Sequence, residues 1–246
     1  MQKIPLKFNG HNWQVNLRDE ADQSVFNEIF KLKEYRAADE VIKNAKDAIV
    51  DVGAHAGFFS MYCRALNEKV KIFAVEPELK NIDTLQQHLD ENKISGVKVI
   101  AGAIAGQTEE RPLILSTDSH NHRLGEAGFV SSGSMFADHV DEEKPEKAVN
   151  IQAFSLADFC KKNKIKKISL LKMDIEGGEY EVFDSMSAAD FAMVNFIILE
   201  YHNNKDKGED YKYLAEKIRS NGFGVQIFPS HFDKTMGFIW ANNKRI

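Results

Sequence analysis

Ile49-Val50-Asp51-Val52-Gly53-Ala54-His55-Ala56-Gly57-Phe58-Phe59-Ser60 is the stretch that decides the fold. A short, continuously apolar run ends at Asp51, a glycine turn follows, and an apolar helical pattern starts near Gly57. Glycine lets the backbone bend where a Cβ would clash, and lets a ligand approach main-chain N–H groups at a helix N-terminus. Such a turn suits a carboxylate or a phosphate equally well.

Downstream, the same alternation continues. Apolar runs at 48–51, 70–75, 97–100, 168–173 and 195–199 read as buried parallel strands, with helices between them at 57–66, 79–92 and 178–186. A helix at 211–221 and a closing pair at 225–228 and 235–241 complete an open, mostly parallel sheet with an antiparallel end. Upstream, two alternating runs at 4–8 and 13–17 flank Asn9-Gly10-His11-Asn12, which reads as a hairpin, and 21–33 carries helical spacing. This front segment is too small to stand alone, so residues 1–47 are expected to be an appendage of a single domain over 48–246. The stretch 107–151 breaks the rhythm, and a connection that long in a compact domain is expected to be a lid or binding loop.

Nineteen residues beyond Gly57, the second strand of the series ends in Val75-Glu76-Pro77. An acid at that strand tip is placed to accept hydrogen bonds from two ribose hydroxyls, so a nucleoside-containing cofactor is expected. A dinucleotide site asks for G-x-G-x-x-G, whose second glycine makes room for pyrophosphate; two positions after Gly53 this chain has His55. The spacing D-x-G-x-x-x-G tolerates a side chain there.

The third element is Leu170-Leu171-Lys172-Met173-Asp174-Ile175-Glu176-Gly177-Gly178-Glu179. Three carboxylates and a lysine around a diglycine turn are poor packing material, because ionised groups cost free energy to bury unless paired. At a strand's carboxyl end they are expected to be functional groups.

DVGAHAGFFS, AVEP, LLKMDIEGGEYEVF and IILEYH, in this order, resemble the FkbM family of S-adenosylmethionine-dependent methyltransferases. So does 149–159, the stretch before the fourth strand of the parallel series. The resemblance covers about 48–202, and K-x-D-x-E-G-x-E is its most discriminating part. It implies a Rossmann-like class I methyltransferase fold, with a seven-stranded sheet whose last strand is antiparallel and helices on both faces. It implies S-adenosylmethionine as cofactor and methyl transfer, commonly to a hydroxyl of a sugar or other small molecule. Carried over position by position, Asp51, Gly53 and Gly57 fall on the cofactor turn and Glu76 on the ribose. Gly102, Ala103 and Ile104 border adenine, and Asp174 faces the methionine end and the substrate. Ser132 and Ser134 are weaker candidates for the same mouth.

An alcohol is a weak nucleophile near neutral pH, so a base is expected. His202, after the fifth strand of the series, is the first candidate because histidine titrates near neutrality, with Glu200 to orient it; Asp174 or Glu176 are the alternatives. Asp118, His120, His122, Asp138 and His139 lack the spacing of a metal site, and no metal is expected.

Composition bounds the rest. The chain has 246 residues and a net charge of −5, so no uniform positive field draws in nucleic acid. Two cysteines without a CxxC fit a reducing compartment, and no apolar run reaches the length of a bilayer span, so a cytoplasmic protein with no membrane partner is expected. The expected acceptor is a small hydroxyl-bearing molecule. A protein or RNA acceptor, or a methyltransferase-fold binding module without activity, are the alternatives.

Overall fold

The computed structural model describes residues 1–115, 123–125, 147–203, 208, 210–230 and 235–245. β1 (Gln2–Phe8) and β2 (His11–Leu17) pair antiparallel with Phe8 opposite His11, so Asn9-Gly10 alone makes the turn. Both turn residues hold positive φ, 45° and 82°, as a tight two-residue hairpin turn requires. α1 (Glu20–Phe26) starts at Asp19, whose side chain accepts from the Asp22 N–H. The single helix expected over 21–33 instead changes at residue 27 into a π-helical stretch, Asn27–Leu32, closed by Lys33 in the left-handed region. A short 3-10 turn (Glu34–Ala38) and α2 (Asp39–Asn44) lead into the main sheet.

That sheet begins with β3 (Ala48–Val52), α3 (Phe58–Leu66), β4 (Ile72–Glu76), α4 (Leu79–Glu91) and β5 (Val97–Ala101). After β6 (Ala103–Ile104), β7 (Glu109–Leu115), β8 (Arg123–Leu124), β9 (Lys147–Phe154) and α5 (Leu156–Asn163), it resumes with β10 (Ile168–Met173). α6 (Glu179–Ser185), α7 (Ala188–Ala192), β11 (Phe196–His202), α8 (Tyr211–Ser220), β12 (Phe223–Pro229) and β13 (Met236–Asn243) complete it. The strand order is β12-β13-β11-β10-β3-β4-β5. Every neighbouring pair is parallel except those made by β13, which runs antiparallel to β11 and β12. This is the expected mostly parallel seven-stranded sheet with its last strand reversed.

Adjacent residues of a strand face opposite sides, and the two cores follow from that. Leu171, Val50 and Ile197 pack with Phe159, Val182, Phe183 and Ile218 on one face. Leu170, Ile49 and Ile198 pack with Phe58, Phe59, Met61 and Tyr62 on the other. The second core also takes in Trp13, Val15, Phe26, Ile29 and Tyr35, so the front 47 residues share an apolar cluster with the sheet. Phe58 stacks edge-on against Phe26 at 5.8 Å and Phe59 lies 4.9 Å from Tyr35. The aromatic pair after the glycine turn therefore fastens the front segment to α3.

Part of 107–151 is not loop. β7 and β9 form a seven-residue antiparallel ladder from Glu109 opposite Ala153 to Leu115 opposite Lys147, in a small sheet ordered β6-β9-β7-β8. Pro112 inside β7 and the charged start Glu109-Glu110-Arg111 masked this strand in the sequence, since proline argues against an interior strand. Arg111 is buried because its guanidinium donates to the Gly125 carbonyl and to Glu181 at 2.6 Å. No helix among the described residues is long and apolar enough to cross a membrane.

Candidate functional site

A cleft of about 1170 Å³, counting its solvent-open mouth, lies at the carboxyl ends of β3, β4, β10 and β11, where open α/β sheets hold their ligands. It brings together Gly53, Glu76, Gly102, Ala103, Ile104, Asp174, Glu176 and His202. Asp51 and Gly57 stand behind it. Its outer wall comes from the front segment through Ser24, Val25, Glu28, Ile29 and Tyr35, which no sequence signal marked as site residues. Ser132, Ser134, Asp118, His120, His122, Asp138 and His139 lie outside the described residues.

The glycine turn is closed on itself. The Gly53 and Ala54 N–H groups both donate to the Val75 carbonyl at 3.0 Å, and the Gly57 N–H donates to the Ala54 carbonyl at 2.8 Å. His55 donates its N–H to Glu76 Oε2 at 2.8 Å. These four donors are thus spent within the protein and are not offered to a phosphate or carboxylate. Gly53 has φ +72°, and a Cβ there would sit 1.8 Å from the Asp174 carbonyl oxygen. Gly53→Ala is therefore expected to strain the turn and push β3 and β10 apart, lowering the thermal midpoint by several degrees in a melting experiment. An unchanged midpoint would mean that the turn and Asp174 are not in contact.

His55, two residues into the turn, has φ +50° and its own support. Asp22, fully buried, takes the Arg18 guanidinium at 2.6 and 2.8 Å and lies 3.2 Å from His55 Nε2. The histidine that argued against a dinucleotide thus ties the turn to the front segment.

Glu76 is buried and accepts three hydrogen bonds, from His55 N–H, Glu78 N–H at 3.0 Å and Asn81 Nδ2 at 3.1 Å. Burial raises its pKa, and these donors from Asn81, Glu78 and His55 oppose the rise. A carboxylate offers about four acceptor positions, so roughly one remains for a ligand in the cleft.

Lys172 sits in β10, a strand buried along its whole length. Its Nζ donates to the Gly53 carbonyl at 2.8 Å and lies 3.6 Å from both Asp51 Oδ1 and Asp174 Oδ2. Burial favours the neutral amine, yet Asp174, Asp51, Glu200 and Glu76 outweigh it and hold the pKa above the ordinary lysine value. Asp51, with no exposed surface, also takes the Ser60 hydroxyl at 2.7 Å; burial nevertheless raises its pKa. One cation thus anchors the glycine turn and two acids on adjacent strands.

His202 lies between carboxylates. Its Nδ1 donates to Glu179 Oε1 at 3.3 Å and its Nε2 lies 3.6 Å from Glu176 Oε2. Burial would lower its pKa, but the bond to Glu179 and the charges of Glu179, Glu176 and Asp174 raise it to about 10. Burial pushes Glu176 up to about 7, and Glu200 well above the usual carboxylate range. At neutral pH an imidazolium donates rather than accepts, so this upward shift weighs against His202, the first candidate base, and toward Asp174 and Glu176 as the accepting groups. The ring's partner also differs from the expected one: Glu179, not Glu200, holds it. Glu179 closes the K-x-D-x-E-G-x-E pattern, so the signal for it was present. Asp174, Glu176 and His202 each offer one ligand atom, all within 4.8 Å of one another.

The Methyltransferase FkbM domain matches residues 51–225, from Asp51 past His202. The chain belongs to the FkbM methyltransferase family. Among curated FkbM relatives and other similar proteins, hexuronic acid methyltransferase AglP of Haloferax volcanii is 26% identical over 195 residues, covering 77% of this chain and 72% of its own length. The 31-O-demethyl-FK506 methyltransferase FkbM of Streptomyces tacrolimicus is 23% identical over 73% of each chain. In architecture the FkbM domain resembles magnesium protoporphyrin IX methyltransferase of Synechocystis PCC 6803, solved with bound S-adenosylmethionine, at TM-score 0.51 and 10% identity over 93% of this chain and 86% of that one. The protein is a methyltransferase with the Rossmann-like fold of the class I enzymes.

Proposed function

We propose that this FkbM-family protein transfers the methyl group of S-adenosylmethionine to a hydroxyl oxygen of a sugar or another small metabolite. One observation carries the reading: a single cleft runs from Glu76, the residue suited to a ribose, to Asp174, Glu176 and His202 at the ends of β10 and β11. The donor set suits this cofactor. Glu76, Asp174, Glu176 and Glu200 outnumber the cations Lys172 and His202 in the lining, Lys172 is committed to a carbonyl and two acids, and a cationic ligand would offset the burial that raises Glu176 and Glu200. Such a lining favours a cationic ligand and disfavours a pyrophosphate.

Bound there, S-adenosylmethionine would supply a methyl group already activated on a cationic sulfur. The chain's own residues do the rest. Glu76 holds the ribose end, Gly102, Ala103 and Ile104 border the base, and Asp174 faces the sulfonium end. Asp174 and Glu176 are placed to accept the acceptor's hydroxyl proton, and His202, held by Glu179, donates to and orients them. The front-segment wall of Ser24, Glu28 and Tyr35 bounds the acceptor's space, which suits a small molecule better than a polyanion. The hexuronic acid and 31-O-demethyl-FK506 named for two relatives support a small-molecule acceptor.

The test is a labelled-methyl assay against hexuronates, neutral sugars, polyketide alcohols, peptides and RNA. Label is expected in a sugar or polyketide. Label confined to peptide or RNA would overturn the small-molecule reading, and no label from a protein that binds the cofactor would point to a binding module.

A further inference from the structure

Three side chains from two strand ends converge on one point of the cleft. Asp174 and Glu176 follow β10, His202 ends β11, and one ligand atom from each lies within 4.8 Å of the other two. The His202 ring is fixed from behind: Nδ1 donates to Glu179 Oε1, which turns Nε2 toward the Asp174 and Glu176 carboxylates. The 3.6 Å between Nε2 and Glu176 Oε2 is longer than a hydrogen bond and fits two ligands of a common ion. An imidazole donating its far nitrogen to a buried carboxylate is the usual arrangement behind a metal-bound histidine.

A separate observation points the same way. Glu179 has no exposed surface, and its second oxygen, Oε2, meets no hydrogen-bond donor among the described residues. A buried carboxylate with an unsatisfied oxygen is costly unless positive charge stands nearby. Lys172 is already divided between Asp51 and Asp174, and once His202 gives up its Nε2 proton to a metal, the ion is the positive charge left beside Glu179.

We propose that Asp174, Glu176 and His202 form a divalent metal site in the mouth of the cleft, with Glu179 as the carboxylate that orients the histidine. Two carboxylate oxygens and one imidazole nitrogen suit a first-row ion such as Mn²⁺ or a related divalent cation. A six-coordinate ion held by three protein ligands keeps positions for oxygens of the acceptor, so the site selects molecules that chelate through a hydroxyl and a neighbouring oxygen, as hydroxy acids and vicinal diols do. Coordination displaces the Nε2 proton of His202 to solvent, and with the ion in place Asp174 and Glu176 serve as its ligands in place of their role as proton acceptors. A hydroxyl bound to the ion holds its proton less tightly, and that proton passes to water. The ion's role in catalysis rests on the hydroxyl-methylation reading above; its binding does not.

The test uses the full chain stripped with chelator and titrated with MnCl₂ alone, following free Mn²⁺ by electron paramagnetic resonance. One ion per chain is expected, with an electron spin-echo signature of one directly bound imidazole nitrogen in the wild-type protein. His202→Ala should abolish that nitrogen signal, and Glu179→Gln should weaken binding about 10–100-fold. Absence of binding at millimolar Mn²⁺ overturns the site. So does binding that shows no nitrogen coupling and is unchanged in Glu176→Gln and His202→Ala. Because no methyl donor is present, a failure here leaves the cofactor reading standing, and failure to bind S-adenosylhomocysteine with Mn²⁺ binding intact counts against the cofactor reading alone.

Discussion

Lys172→Met is expected to remove about 3–5 kcal/mol of folding free energy, read as a lower urea midpoint at unchanged slope. The methionine fills most of the lysine's volume, so the loss isolates the charge. Lys172 Nζ is the donor to the Gly53 carbonyl and the cation between Asp51 and Asp174. Without it Asp51, which has no exposed surface, keeps only the Ser60 hydroxyl. Breaking a buried ion pair from one side leaves an uncompensated charge, which costs more than the pair contributed. Asp51→Asn in the same chain removes that charge and should recover part of the loss, a coupling that independent sites would not show. A loss below about 1 kcal/mol would place Lys172 among ordinary surface pairs and reject its role as anchor.

Glu76→Gln is expected to weaken S-adenosylhomocysteine binding by about 1.5–3 kcal/mol, because the hydrogen bond lost goes to a charged acceptor. That is on the order of 10–100-fold in Kd. The effect has two sources. The ribose loses an ionised acceptor, and the new amide brings two N–H donors to a point where His55, Glu78 and Asn81 already donate. Asn81→Ala removes one of those donors and leaves the carboxylate, so it should weaken binding less. Equal losses in the two variants would mean that Glu76 acts only by shaping the loop.

The parallel sheet could be read from sequence because its central strands are apolar on both faces, and β10 was placed to the residue. β7 could not, since its ladder with β9 is paid for by Arg111 contacts that only the fold brings together. The cleft's sheet side was visible for a similar reason: Glu76 ends a strand and Gly53, Asp174 and Glu176 follow strand ends, whose position the pattern fixes. Asp51 carried the right motif position but is turned inward to Lys172. The Ser24, Glu28 and Tyr35 wall was invisible, because a helix that packs over a distant sheet edge leaves no local mark of what it faces. His202 drew notice as a base from its ordinary titration range, and three carboxylates supplied by α6 and the turn before it move that range upward.

Calorimetry with S-adenosylhomocysteine and with NAD, on wild-type protein and Glu76→Gln, tests the central claim most directly. One S-adenosylhomocysteine per chain, weakened in the variant, with no heat from NAD, is the expected result. NAD binding with no response to S-adenosylhomocysteine would contradict it.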